Sequence, residues 1–469
     1  MLLTEVDLPP TDRGAAAWKF VLGAWWVEAM LWGFPLSFGI FQAHYAQHEL
    51  FTDSKNIAII GALATGISNL GLPFVSPVAL RFPQYQRHMV CFGWCLCCVS
   101  LVGASFATQV WHLILSQGVL YGSGWVICYT PFLIMLNEWF VKKRGLVYGI
   151  LFGASGVSGL ILPFILEASL SRFGFRVTLR AFAIAVVVVS GPALVLLKPR
   201  VVRKNAVRAG HGTLQFVTDK TFWLFAIAVF LQGIGFYLPA IFLPSFAHAL
   251  SLSHAQGALL LALCSLAQVT GQMALGQLSD KVDMHILTSL SAGVPATAAF
   301  LLWGPAKSFA PLAVFALLYS GFGGGYSVLW SRVTTYMSDD PGTAMVIFGI
   351  FSFERGFGNM LAGPISTWLL ADTTNISDYG LARYSAVIQF VGVTMALSSL
   401  SGIGYFWSRP AKRKNLTDKF EDYSGEMNLP IGYGRTRAEG TSEPYELERL
   451  ASSTDSETEA SSLDGVERP

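Results

Sequence analysis

The sequence predicts an all-α integral membrane protein with twelve transmembrane helices in two six-helix bundles. Three observations carry this. Charged residues make up only 13% of the 469-residue chain and hydrophobic residues 53%. Soluble domains carry roughly 25% charged residues, so most of this surface faces something other than water. Twelve apolar runs are near or above the ~20 residues a helix needs to cross a bilayer. The chain also repeats itself loosely at an offset of about 200 residues, which divides the twelve runs into two sets of six.

In order, the expected spans 1 to 6 are 20–43, 56–80, 88–107, 111–139, 145–168 and 177–197. Spans 7 to 12 are 221–245, 255–278, 284–304, 309–330, 343–370 and 382–407. None shows the period-two alternation of membrane strands. Backbone amides in lipid must pair internally, which leaves helices. The repeat is visible within the spans. Leu31-Trp32-Gly33 in span 1 answers Leu231-Gln232-Gly233 in span 7, and Gly71 in span 2 answers Gly271 in span 8. Arg144-Gly145, Gly149 and Pro163 around span 5 answer Pro341-Gly342, Gly349 and Pro364 around span 11. Two parallel repeats about an axis along the membrane normal build a central cavity between halves that can rock.

The expected organisation is a cytoplasmic N-terminus over 1–19, one bundle over 20–197, a basic linker over 198–220, a second bundle over 221–407 and a polar tail over 408–469. The tail is acidic and Ser-rich near its end and reads as disordered and cytoplasmic. The first residues lack a basic stretch, short apolar core and small-residue cleavage site, so span 1 is expected to be retained. With both termini inside, the inner loops hold thirteen Lys and Arg. The outer loops hold four, or six with Arg180 and Arg383 at helix mouths. This is the bias of cytoplasmic loops. Asn375-Ile376-Ser377 then falls outside as a candidate glycosylation site, whereas Asn415-Leu416-Thr417 falls inside.

The six cysteines lie in apolar runs and read as small hydrophobes. His44 and His48 stand one turn apart near Glu49, with His248 and His254 at the corresponding place in the second half; ordinary polar residues at helix mouths explain them better than a metal site. No phosphate loop of the form GxxxxGK[ST] occurs, so any driving energy comes from a gradient or another subunit, and no cofactor or metal is expected. The net charge of +2 argues for no nucleic-acid partner. Glycines at three- and four-residue spacing in span 5 (Gly149, Gly153, Gly156, Gly159) and Gly349, Gly356, Gly358 and Gly363 in span 11 read as packing seams.

Seven charged residues fall inside the spans, of which Glu138, Glu167, Arg180 and Arg383 are close enough to an end to snorkel. Glu28, Glu354 and Arg355 remain. A charge at a helix centre costs about 2.5–3.5 kcal/mol on insertion scales. Arg355 is read as an anion site or conformational latch, against a structural ion pair with Glu354 or another helix. Glu28 is read as a proton-coupling acid, against a neutral core Glu. Trp25, Trp26, Trp32, Tyr129, Tyr237, Tyr319, Tyr326 and Trp330 could line a path, although interface and packing roles account for most such aromatics.

Gly276-Gln277-Leu278-Ser279-Asp280-Lys281 resembles the G-x-L-x-D-[RK] loop of the major facilitator superfamily. Its Asp can cap or pair with a neighbouring helix end, which makes Gly276, Asp280 and Lys281 a candidate gating loop. The matching first-half stretch, 80–87, lacks the Asp. Gly118 to Gly122, Tyr129-Thr130-Pro131, the stretch Trp139 to Gly149 and Pro163 resemble the fungal branch of the monocarboxylate transporters within that superfamily. So do Phe230-Leu231-Gln232-Gly233 with Tyr237-Leu238-Pro239, and Arg355-Gly356-Phe357-Gly358-Asn359 with Gly363-Pro364. The resemblance covers roughly 20–407.

It implies the major facilitator fold and a secondary active transporter for a small organic acid or amphipathic metabolite, with protons as a candidate coupling ion. Export of a fungal secondary metabolite is the alternative. A non-transporting sensor on the same scaffold is a reading of another class, and an enzyme is disfavoured. Animal members of the family use a Lys in span 1 and an Asp and Arg one turn apart in span 8. Here those positions match Leu36, Gln268 and Gln272. The expected path is Tyr129, Gln232, Gln268, Gln272 and Arg355, with Glu28 for proton coupling. The expected partners are a small-molecule substrate and membrane lipid, in the plasma membrane more than in an organelle.

Overall fold

The computed structural model describes residues 9–51, 57–201, 215–371 and 379–404. Within these, the apolar runs fold as helices, and proline and glycine decide where the helices bend. Span 1 is Ala15–Leu36 and Phe38–Gln47, broken at Ser37. Span 2 joins Ile57–Leu70 to Leu72–Arg81 across a 43° bend at Gly71. Span 3 is Gln86–Ala104, and span 4 runs over Val110–Trp139 with a π-helical stretch at Ile114–Leu120. Spans 5 and 6 follow each other directly within Arg144–Leu194, and Gly174 (φ 71°, ψ 173°) breaks the helix and turns the chain between them. That left-handed φ is open to glycine at no steric cost.

Span 7 is Lys220–Phe236 and Leu238–Ala249, broken at Tyr237. Span 8 is His254–Ser279, and span 9 is Met284–Ala298 continued by the π-helical Ala299–Trp303. Span 10 is Phe309–Gly324 and Tyr326–Met337, span 11 is Pro341–Ala371, and span 12 is Ser385–Ser399 with a tighter turn at Leu400–Ile403. Eight of the described helices are long and apolar enough to cross a membrane, or nine with the bent pair of span 2 taken as one. Dividing the long element at Gly174 and adding spans 1 and 11 gives twelve rods. Asn375 and the tail at 408–469 lie outside the described residues.

The two halves share one structural device. Pro35 in span 1 has no N–H to give the Leu31 carbonyl four residues earlier. The Tyr121 hydroxyl of span 4 donates to that carbonyl instead, at 2.6 Å. In span 7, Pro239 likewise has no N–H to give the Gly235 carbonyl, which accepts from the Tyr237 backbone N–H. The Tyr319 hydroxyl of span 10 donates to Gly235 O at 3.1 Å and to Phe236 O at 3.3 Å. Both tyrosines are fully buried. The duplication is therefore carried by backbone repair at equivalent breaks as well as by helix order.

The halves meet along two glycine seams, span 5 on span 8 and span 2 on span 11. A Cβ on Gly149 would lie 2.5 Å from the Gln272 carbonyl oxygen and 3.2 Å from Met273 Cα. A Cβ on Gly356 would lie 2.6 Å from Asn69 Cβ. Such distances leave no room for a side chain, so the backbones touch. Farther along, a Cβ on Gly363 would meet nothing within 4 Å. The contact is tight toward the end where span 1 begins and loosens toward the other.

Candidate functional site

A cavity lies between the halves, with about 160 Å³ available to the centres of water-sized molecules. Spans 1, 2, 4 and 5 supply one wall and spans 7, 8, 10 and 11 the other. Glu28, Tyr129, Gln268, Gln272 and Arg355 all line it. So do Leu36, Trp32, Tyr237 and Trp330.

Arg355 is the main cation here. Only 7% of it is exposed. Its guanidinium carbon sits 4.9 Å from the Phe236 ring centroid, 5.7 Å from Trp330 and 5.8 Å from Tyr237. Nη1 is buried without a hydrogen-bond partner, and among the described residues no carboxylate pairs with the group. Glu354 does not pair with it, because adjacent helix residues point about 100° apart. Cation–π contacts contribute about 0.5–2 kcal/mol each. Three of them are of the same order as the cost of about 2.5–3.5 kcal/mol for a central charge. The rings thus hold Arg355 in place while leaving it without a counter-anion.

Glu28 faces the cavity from span 1 and is 1% exposed. Neither carboxyl oxygen has a well-formed hydrogen bond among the described residues. The Trp32 indole, one turn on, is the polar group placed to reach it. Gln272 donates weakly to the Gly324 carbonyl at 3.4 Å, and its Oε1 is buried and unpaired. Tyr129 stacks on Trp125 at 4.2 Å and 25°.

Gln232 is placed elsewhere. It is fully buried and its amide donates to the Gly323 carbonyl at 3.1 Å, tying span 7 to span 10 away from the cavity. Tyr319 is occupied at the span 7 break, and Trp25 packs edge-on against Trp26. His44 and His48 rings are 6.0 Å apart beside Tyr45 and Phe51, and no group of three or more candidate metal ligands occurs among the described residues. None of the six cysteines forms a disulfide.

The seam closes on a cluster of charged groups. The Asp280 carboxylate accepts from the backbone N–H of Gly145 at 2.9 Å and of Leu146 at 3.0 Å, at the start of span 5. Arg332 pairs with it at 3.3 Å and donates from Nε to the Ser279 carbonyl. Arg144 crosses the other way, donating to Thr335 Oγ1 at 2.8 Å. Just upstream, the Asp12 carboxylate accepts from the backbone N–H of Val141, Lys142 and Lys143 at 2.8–3.1 Å. Two carboxylates therefore fix five N–H groups of one short stretch, the one leading into span 5. Burial raises the Asp280 carboxyl above its ordinary range, against the lowering pull of Arg332 and the two N–H donors. Gly276 lies in the same seam, where its Cβ would fall 2.5 Å from the Gly145 carbonyl oxygen. Lys281 follows as an exposed residue and also lines a surface groove between spans 8 and 10.

A sequence model of the Major Facilitator Superfamily matches residues 21–353. The chain belongs to the major facilitator superfamily. The MFS transporter asaE of Aspergillus flavus is 28% identical over 402 residues, covering 85% of this chain and 90% of that protein. The Fujikurins efflux protein of Gibberella fujikuroi is 28% identical and covers 84% of each chain. Monocarboxylate transporter 13 of Bos taurus is 26% identical, covering 83% of this chain and 90% of that protein. The human organic anion transporter MFSD10 superposes with a TM-score of 0.64 at 14% identity, over 83% of this chain and 100% of that one. The proton:xylose symporter XylE superposes at 0.61, also at 14% identity, over 82% and 95%. The two structures bear on the fold alone. This major facilitator is a monocarboxylate-transporter-like, multi-pass membrane transporter and not an enzyme.

Several residues of this facilitator's cavity escape sequence reasoning. Asn69 and Ser352 hydrogen-bond each other at 3.3 Å across the span 2–span 11 seam and line the cavity. Ser265, Ser155 and Asn359 line it too. Small polar residues are common in membrane helices, and nothing in their spacing distinguishes a cavity face from a helix–helix contact. Asp12 carries no sequence signal for its role because its partners are backbone groups about 130 residues away.

Proposed function

We propose that this facilitator is a secondary active transporter that carries a small organic acid or amphipathic metabolite through the cavity between its halves, with Arg355 receiving the acidic group. The observation that carries this is Arg355 itself, a cavity-lining cation with no carboxylate partner among the described residues. A buried charge without a counter-ion is costly unless something supplies one. An anionic substrate does so each time it enters.

Glu28 is the proton site in this reading. Proton and anion then occupy opposite halves, Glu28 on span 1 and Arg355 on span 11, so both loads are felt by the seam that separates them. In this reading both termini are cytoplasmic, which the basic residues of the inner loops support, and the plasma membrane is the site of action. Export is the favoured direction, because relatives named for efflux stand beside the monocarboxylate transporter.

The test is uptake into proteoliposomes of labelled monoanionic acids and of the matching neutral amides. Wild-type protein should discriminate for the acids. Arg355→Gln should lose that discrimination and Arg355→Lys should keep part of it. Equal transport of acids by wild type and Arg355→Gln would reduce Arg355 to a packing residue.

A further inference from the structure

The cavity's two walls differ in chemistry. The first half contributes an aromatic cluster. Trp125 stacks on Tyr129 at 4.2 Å, and Trp32 packs edge-on against Trp125 at 4.9 Å and 68°. Trp125 and Tyr129 are 2% and 4% exposed, whereas Trp32 is only partly buried. All three line the cavity, and Trp32 is the least buried of them. The second half contributes Arg355 and the side-chain amides of Gln268 and Gln272, together with the rings of Tyr237, Trp330 and Phe348, of which Tyr237 and Trp330 lie against the Arg355 guanidinium. Among the described residues, no cation lines the first-half wall and no carboxylate lines the second-half wall.

Resting on the reading of Arg355 as the anion site, we propose that the solute joins one anionic group to a planar conjugated ring, and that Trp32 is the residue that selects the ring. The argument is one of shape and polarisability. An indole packed against Trp125 is flat and loses little freedom on binding, so it favours another flat π-system over a saturated one of equal size. Saturated rings bury similar apolar area but cannot stack. Guanidinium groups recognise planar oxyanions through two parallel N–H donors, so a coplanar ring and carboxylate suit both walls together. A solute of this form touches span 1 and span 11 at once and links the two halves.

The same geometry gives Trp32 a second tie. Its indole is the group placed to reach the Glu28 carboxyl one turn below. Trp32 is therefore a specificity residue that stands one turn from the candidate proton site.

The experiment is calorimetric binding to the purified full-length chain in detergent, with three probes: 2-naphthoate, its fully saturated decahydro counterpart, and 2-naphthamide. Wild type should prefer the aromatic acid over the saturated acid by about tenfold. That ratio should fall toward one in Trp32→Leu and persist in Trp32→Phe. A wild-type ratio near one overturns the ring assignment, as does a ratio unchanged in Trp32→Leu or an absence of saturable binding by either acid. The amide separates the two readings. If 2-naphthamide binds as well as 2-naphthoate, and Arg355→Gln changes neither, the anion site fails while the ring preference is judged on its own ratio. A circular dichroism spectrum and melting curve for each variant confirm that lost binding is not lost folding.

Discussion

The Asp280 carboxylate accepts a hydrogen bond from the backbone N–H of Gly145 at 2.9 Å, although the two residues belong to different halves of the chain. This is a helix N-terminus capped from outside its own half. The bond joins the two halves at the end where their backbones meet closely. Charge-assisted hydrogen bonds are worth about 1.5–3 kcal/mol each, so two of them with the Arg332 pair make a latch that a substrate could still outweigh.

Asp280→Asn keeps the shape but removes the charge, leaving one acceptor oxygen where two now serve Gly145, Leu146 and Arg332. The closed end should become more accessible, read as faster thiol labelling of a cysteine introduced at Ser331 from the side of span 1's start. Unchanged labelling would mean that the seam is held by the glycines alone.

Acid should act in the same direction. The carboxylate is the form that accepts all these bonds, and burial raises the pKa of Asp280 above the usual Asp range. Falling pH therefore loosens the latch before it would protonate a surface Asp. In the Ser331 labelling assay the wild-type rate should rise on acidification, and Asp280→Asn should be flat over the same range. A pH response of equal size in both proteins would assign it to another group.

Glu28→Gln tests coupling. The isosteric amide cannot exchange a proton, so substrate flux should lose its dependence on an imposed pH gradient in proteoliposomes while exchange without a gradient continues. Flux that still follows the gradient would place the proton elsewhere.

Tyr121→Phe and Tyr319→Phe test the repair of the proline breaks. Tyr121→Phe leaves the Leu31 carbonyl without its hydroxyl donor, at a cost of about 1–3 kcal/mol, and Tyr319→Phe costs less at Gly235, whose carbonyl keeps the Tyr237 N–H. Both variants should melt earlier than wild type in detergent, with Tyr319→Phe affecting two carbonyls, Gly235 and Phe236. Melting curves that overlay wild type would show that water replaces the hydroxyl.

Asp12→Ala frees three N–H groups in the stretch that leads to the latch. It should shift the labelling assay as Asp280→Asn does, but less, because Asp280 still holds Gly145 and Leu146. No change would make Asp12 a local cap without influence on the gate.

Membrane insertion, the helical class and the division into two sets of six are legible in the sequence, because lipid imposes a one-dimensional rule: a run long enough and apolar enough must become a helix. Arg355 and Glu28 could be singled out for the same reason, since a charge in such a run is expensive wherever it points. What the sequence could not supply is direction. Gln232 and Gln272 read alike along their helices, yet one is spent on the Gly323 carbonyl and the other lines the cavity. Tyr121 and Tyr319 gave no sign of serving equivalent proline breaks, and Asp12 gave none of bonding to residues 141–143. Those roles depend on which face of each helix meets its neighbour and on backbone groups brought together from distant parts of the chain. Only the packing of the two halves decides them.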